Sequence, residues 1–154
     1  MQLLGIDFTS RPSRRKPITI ALGRLDGANV LLEQLLRLPD FPAFEQLLLR
    51  PGPWLAVCDF PFGLPRELVE TLNWPRQWDA LMRHYRQQSR ASLREQFKAF
   101  CQARPAGKKF AHRAVDQIAH SSPSMKWVNP PVAWMLLEGA PRLLDAGVSL
   151  PGLH

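Results

Sequence analysis

Two short apolar runs in this chain each end in an aspartate. Leu3-Leu4-Gly5-Ile6 leads into Asp7, and Trp54-Leu55-Ala56-Val57-Cys58 leads into Asp59. Both runs are rich in large apolar residues and are followed by turn formers, the pattern of a buried β-strand. A carboxylate at the end of such a strand is costly to desolvate unless something pairs with it. On adjacent strands the two aspartates would lie side by side, and like charges that close together require a metal ion, another cation or a shared proton. Asp7 and Asp59 are therefore the leading candidates for a functional site. The plainer role for Asp59 is to cap the turn over 60–65.

Around these runs the chain alternates strand and turn signals. Residues 2–9 read as a first strand, followed by a basic, proline-punctuated turn, and 18–25 read as a second. Asp26-Gly27 is a hairpin signal. Residues 29–38 follow as a third strand, although their leucines would also suit a helix. Asp40 is a good N-cap, and Phe41, Phe44, Leu47 and Leu48 follow it at helical spacing until Pro51-Gly52-Pro53. The strand carrying Asp59 comes next. The second half is helical in pattern: a short helix over 64–72, a long one over 75–103, a turn over 112–120, and a helix over 132–146 ended by Gly147. With 154 residues the expectation is one α/β domain large enough to bury a core.

Charge points outward from that core. Lys and Arg number 20 against 13 acids, a net +7, which favours a polyanionic partner, nucleic acid first, over an ordinary basic protein without one. Arg14, Arg15 and Lys16 lie in the turn close to Asp7. Arg76, Arg83, Arg86, Arg90 and Arg94 fall at steps of 7, 3, 4 and 4, which places them on one face if 75–103 is a single helix. Such a stripe would track phosphates, with Trp74, Trp78 or Tyr85 to stack on bases. The alternative is a solvated helix face whose aromatics belong to the core. Lys108, Lys109, Lys126 and Arg113 extend the basic rim. Among the remaining acids, Glu45 is offset from the apolar face of its helix, Glu138 sits beside Trp134, Leu136 and Leu137, and Asp116 is within reach of Arg113.

Several chemistries are disfavoured. Cys58 and Cys101 make no disulfide framework, and a reducing, cytoplasmic setting fits them. His84, His112, His120 and His154 lack zinc-binding spacing. No Gly-x-Ser-x-Gly elbow and no Gly-x-x-x-x-Gly-Lys loop occurs. There is no signal-peptide pattern and no apolar stretch long enough for a membrane span.

Three hairpin strands, a helix and a fourth strand resemble the opening of the RNase H-like fold. That fold carries an Asp on its first strand, a Glu on its first helix and an Asp at the end of its fourth strand; here Asp7, Glu45 and Asp59 occur in that order. Gly5-Ile6-Asp7-Phe8-Thr9-Ser10, Asp59-Phe60-Pro61-Phe62-Gly63-Leu64-Pro65, and Asn129-Pro130-Pro131 with Glu138-Gly139-Ala140 resemble a bacterial family of unknown function, the one numbered 429, described as predicted nucleases of the RNase H-like superfamily. The resemblance covers the whole chain. It implies a mixed sheet, phosphodiester hydrolysis, and Mg²⁺ or Mn²⁺ held by Asp7 and Asp59, with Glu45 and Glu138 as further catalytic acids. Members of that family continue past the position matching 154 with another strand and an acid-bearing helix, so the expectation is an incomplete sheet. Glu138, Asp145 or Asp116 would replace the missing acid only if the fold brings them to Asp7. An unpaired sheet edge would invite a second chain and a homodimer. Two other functions stay open: a non-catalytic nucleic-acid- or partner-binding module with the same fold, and a nucleotide-phosphate site of the sugar-kinase or actin kind at Thr9-Ser10.

Overall fold

The computed structural model describes residues 1–152 and is a mixed α/β structure. Its four strands are β1 (Gln2–Asp7), β2 (Ile18–Asp26), β3 (Asn29–Leu38) and β4 (Trp54–Cys58). They form one sheet in the order β3-β2-β1-β4. The meander β1-β2-β3 is antiparallel, whereas β4 runs parallel to β1. A parallel neighbour needs a crossover, and α1 (Phe41–Leu48) supplies it. Asp40 caps α1 by accepting the Ala43 N–H at 2.9 Å, which satisfies one of the helix's orphan amides. At the β2–β3 turn, Gly27 adopts a φ of +60°, the left-handed geometry that two-residue hairpin loops demand.

Contacts divide the chain into two compact units, Met1–Phe60 and Pro61–His154. In the first, strand alternation sends Leu4, Ile6, Phe8, Ile18, Ile20 and Leu22 to one sheet face, where Phe44, Leu47 and Leu48 of α1 are also buried. Phe8 sits at the centre, with ring centroids 5.3 Å from Phe44 and 4.7 Å from Phe60. No element of this unit covers the opposite face. Leu55 and Val57 are 54% and 72% exposed, so β4 is open on one face and is not the buried strand its composition predicts. Composition alone does not distinguish a strand covered on both sides from one covered on one.

The second unit is helical: α2 (Arg66–Thr71), α3 (Trp78–Arg86), α4 (Arg90–Gln102), α5 (Ala114–Ile118) and α6 (Val132–Asp145). Leu68, Met82, Tyr85, Leu93, Phe97, Met125 and Leu136 form its fully buried centre. The long helix predicted over 75–103 is instead two helices. The chain leaves α3 after Arg86 and restarts at Ser89, whose hydroxyl accepts the Ser92 N–H at 3.0 Å. A serine cap inside an otherwise helical pattern carried that break. Gly147 follows α6 with a φ of +63°, as a helix-stopping glycine should. Asp116 is wholly buried and paired with Arg113 at 2.6 Å. Burial works to raise its pKa, but the Arg113 hydrogen bonds and charge outweigh this and hold it below the usual value.

Two glycines on β1 and β2 differ sharply. A Cβ at Gly23, beside the register shift in β2, would lie 2.4 Å from the Leu31 carbonyl oxygen. A Cβ at Gly5 would meet only the Ala21 methyl at 3.6 Å. Gly23→Ala is expected to cost about 1–3 kcal/mol through backbone displacement, whereas Gly5→Ala stays within about 0.5 kcal/mol. Urea denaturation of the two variants checks the contrast. Asp116→Ala, which leaves Arg113 without its buried partner, should cost about 3–5 kcal/mol; the Asp116 contribution is present above the unfolded carboxylate pKa and disappears as pH falls through its depressed folded value.

Candidate functional site

The β1–β4 pairing decides the geometry. Cα partners run from Gln2 opposite Trp54 to Ile6 opposite Cys58. One further step puts Asp7 beside Asp59, and the Asp59 N–H donates to the Ile6 carbonyl at 3.2 Å. Side chains alternate along a strand, so with Ile6 and Phe8 in the core, Asp7 lies on the open face. The Phe8 N–H donates to Asp59 Oδ1 at 2.8 Å. The residue whose ring anchors the core thus fixes the acid with its backbone.

The electrostatics fit two carboxylates in contact. Partial burial pushes the Asp59 carboxyl above its usual range; the Phe8 N–H opposes this; the neighbouring Asp7, by charge and by hydrogen bonding, adds to the rise. Burial, with the Asp59 charge second, pushes the Cys58 thiol up to about 12, so Cys58 is an inert neighbour and not a nucleophile.

Thr19 pairs with Asp7 across β1–β2, and Arg37 pairs with Thr19 across β2–β3. One row across the sheet face therefore reads Asp59, Asp7, Thr19, Arg37. Sequence reasoning missed Arg37, because only the register places it in line with Asp7. Arg14, Arg15 and Lys16 are exposed in the turn after β1, a turn closed by Ser13 N–H to the Lys16 carbonyl at 3.0 Å.

The other predicted site residues are placed differently. Glu45 is exposed on α1. Among the described residues no group of three or more His, Cys, Asp or Glu is arranged to hold a metal, so neither Glu45 nor any other such residue completes a cluster with Asp7 and Asp59. Glu138 lies in the helical unit between two arginines: Arg90 at 2.9 Å and Arg142 at 3.1 Å. Arg86 joins Asp145 at 2.5 Å and the Pro141 carbonyl at 2.7 Å. These bonds tie α3 and α4 to α6.

The predicted basic stripe does not survive the break between α3 and α4. Arg76 precedes α3 and pairs with Glu70 at 3.5 Å, Arg83 pairs with Asp79 at 3.5 Å, and Arg86 and Arg90 turn to α6; of the five, Arg94 is left exposed to solvent on α4. Trp74 and Tyr85 are core residues at 8% and 0% exposure, and the Tyr85 hydroxyl donates to the Ala133 carbonyl. Neither can stack on a base. The indole N–H of Trp78 donates to the Phe62 carbonyl. Lys108 is exposed, and the Lys109 ammonium lies 5.4 Å from the Phe110 ring centre and 6.0 Å from that of Trp127.

No protein-family model, curated protein or solved structure matches this chain. No helix among the described residues is long and apolar enough to cross a membrane.

The acid pair makes a signed prediction. A carboxyl whose pKa is higher folded than unfolded makes the folded state the better proton binder between those two values. Stability then falls as pH rises from the unfolded pKa through the raised folded value, and the penalty is fully present above it. Asp59→Asn keeps an oxygen for the Phe8 N–H and removes one charge. It should stabilise the protein at neutral pH by about 0.2–1 kcal/mol, the scale of exposed charge pairs, and the gain should vanish in acid. Thermal melts of wild type and variant across pH measure it.

Proposed function

We propose that this chain is a divalent-metal-dependent phosphodiesterase of RNase H-like architecture, acting on nucleic acid. The observation that carries the reading is the juxtaposition of Asp7 and Asp59 at the ends of parallel neighbours β1 and β4, with the Asp59 carboxyl raised by burial and by its neighbour. A carboxylate held beside a second carboxylate forms a site for a cation. The strand order β3-β2-β1-β4 with α1 as crossover supports the architecture.

The donor set fits one Mg²⁺ or Mn²⁺, which is commonly held by one or two carboxylates, with water and substrate phosphate completing its shell. It does not by itself fit a two-ion centre, since no third acid joins the pair among the described residues. When bound, the ion would supply Lewis-acid activation of water and of the phosphoryl oxygen. The chain's own residues orient and bind. The Phe8 N–H occupies Asp59 Oδ1 and so fixes how that carboxylate faces the site. Arg14, Arg15 and Lys16 in the β1–β2 turn, with Arg37 at the end of the Asp59–Asp7–Thr19 row, supply positive charge for a phosphate backbone.

The two-acid set also favours a second reading, a nucleic-acid-binding module of the same architecture without catalysis. The two readings separate on the same protein. Mn²⁺ at about 100 times its dissociation constant should add about 2.7 kcal/mol to the wild type, a rise in melting temperature of about 5–11 °C for a chain of this size, and Asp7→Asn and Asp59→Asn should each abolish it. Asp7→Asn should also abolish Mn²⁺-dependent cleavage of single- or double-stranded substrates while leaving affinity for them nearly unchanged. Nucleic-acid binding that weakens steeply with salt, without cleavage or metal stabilisation, establishes the binding module instead.

A further inference from the structure

The row that begins at the acid pair changes character as it crosses the sheet. Cα pairing sets Thr19 beside Asp7 and Arg37 beside Thr19. From β4 to β3 the row is therefore acid, acid, hydroxyl, guanidinium. Two arginines lie on strands. Arg24 pairs with Glu33 at 2.9 Å, whereas Arg37 is exposed and has no bonded partner among the described residues. A guanidinium in that state binds a phosphate through two parallel N–H bonds.

The flanking row gives this one a direction. Two residues along each strand, on the same face, stand Val57, Gly5, Ala21 and Leu35. None of these side chains can accept or pair a phosphate. A nucleic-acid backbone running along the strands would pass onto them at its next step and leave its charge over aliphatic groups. A backbone running across the strands stays on polar side chains throughout.

We propose that the substrate strand crosses the sheet along this row, with the phosphate to be cleaved at the Asp7–Asp59 end and a neighbouring phosphate of the same strand held by Arg37. Two strand spacings, about 10 Å, separate Arg37 from Asp7. One nucleotide step, with the reach of the arginine side chain, spans that gap. Thr19 lies half-buried between them, short enough to let the backbone pass. Arg37 thereby distinguishes a polynucleotide, which has consecutive phosphates, from an isolated phosphodiester. The inference rests on the phosphodiesterase reading for its acid end. The Arg37 contact needs no metal ion, so it is measurable apart from the acids.

Binding comes first. Anisotropy of short labelled single-stranded DNA and RNA is followed over a salt series in EDTA. Arg37→Gln should weaken binding roughly fivefold at low salt. It should also reduce the slope of log K against log[salt] by about 0.7, the value of one phosphate contact on a single strand. Arg24→Gln removes the same charge from the same sheet and should do neither to that extent. Arg37 has no bonded partner to lose, so the Arg37→Gln melting curve and its Mn²⁺ stabilisation should match those of the wild type.

Kinetics in Mn²⁺ then locate the contact. Arg37→Gln should raise KM for the oligonucleotide by about the same factor as it weakens binding, and change kcat far less. A neutral methylphosphonate in place of the phosphate next to the cleaved one, on one side or the other, should raise the wild-type KM likewise. It should add nothing in Arg37→Gln, because the two changes remove one interaction. Equal effects of Arg37→Gln and Arg24→Gln on the salt slope overturn the inference. So do methylphosphonate and Arg37→Gln penalties that multiply on both sides. Either result with Mn²⁺ stabilisation and cleavage intact sinks this inference alone, whereas a wild type without both sinks the catalytic reading and the placement of the cleaved phosphate with it.

Discussion

The hydrogen bond from the Phe8 N–H to Asp59 Oδ1 links the first unit's core to its candidate site. The Phe8 ring is 4% exposed and packs against Phe44 and Phe60. Its ring is on the α1 side of the sheet, and the Asp7 side chain, one residue earlier, is on the other. Strand periodicity thus couples a rigid apolar anchor to a polar row. Any displacement of Phe8 in the core moves the amide that orients Asp59. The Phe8 amide therefore orients the Asp59 carboxylate beside Asp7.

Much of this was legible in the sequence. The order of three strands, a helix and a fourth strand, the Asp26-Gly27 turn, the Asp40 cap and the Gly147 stop were all readable, because each rests on local chemistry. The juxtaposition of Asp7 and Asp59 followed from their equivalent positions at the ends of two apolar runs. What was not legible depends on tertiary context. The apolar run of β4 looks the same whether one face or two are covered, and the structure leaves Leu55 and Val57 open. The break between α3 and α4 rests on a single serine cap inside a continuous helical pattern. Arg37 entered the acid row only through the pairing of β2 with β3, which a one-residue change of register would have reversed.

The basic composition is less free than its count implies. In the helical unit, Arg86, Arg90, Arg104, Arg113 and Arg142 all bond to acids of the same unit. Arg90 also lies over the Trp134 ring, 5.6 Å from its centre. The Arg90–Glu138, Arg142–Glu138 and Arg113–Asp116 pairs are largely shielded from solvent, which makes each member dependent on its partner, whereas Arg86–Asp145 is exposed. The positive charge that remains near the acid pair is that of the β1–β2 turn and Arg37. Any phosphate-bearing ligand of the pair would meet this local group, and not a long helical stripe.

The central claim is that Asp7 and Asp59 form one coupled pair. Its most direct test is a ¹³C NMR titration of the aspartate carboxyl carbons, in the wild type and in Asp7→Asn. The account predicts that Asp59 titrates above the ordinary carboxylate range in the wild type and moves back toward it when Asp7 loses its charge. An Asp59 that titrates in the ordinary range, or whose titration is indifferent to Asp7, would contradict it.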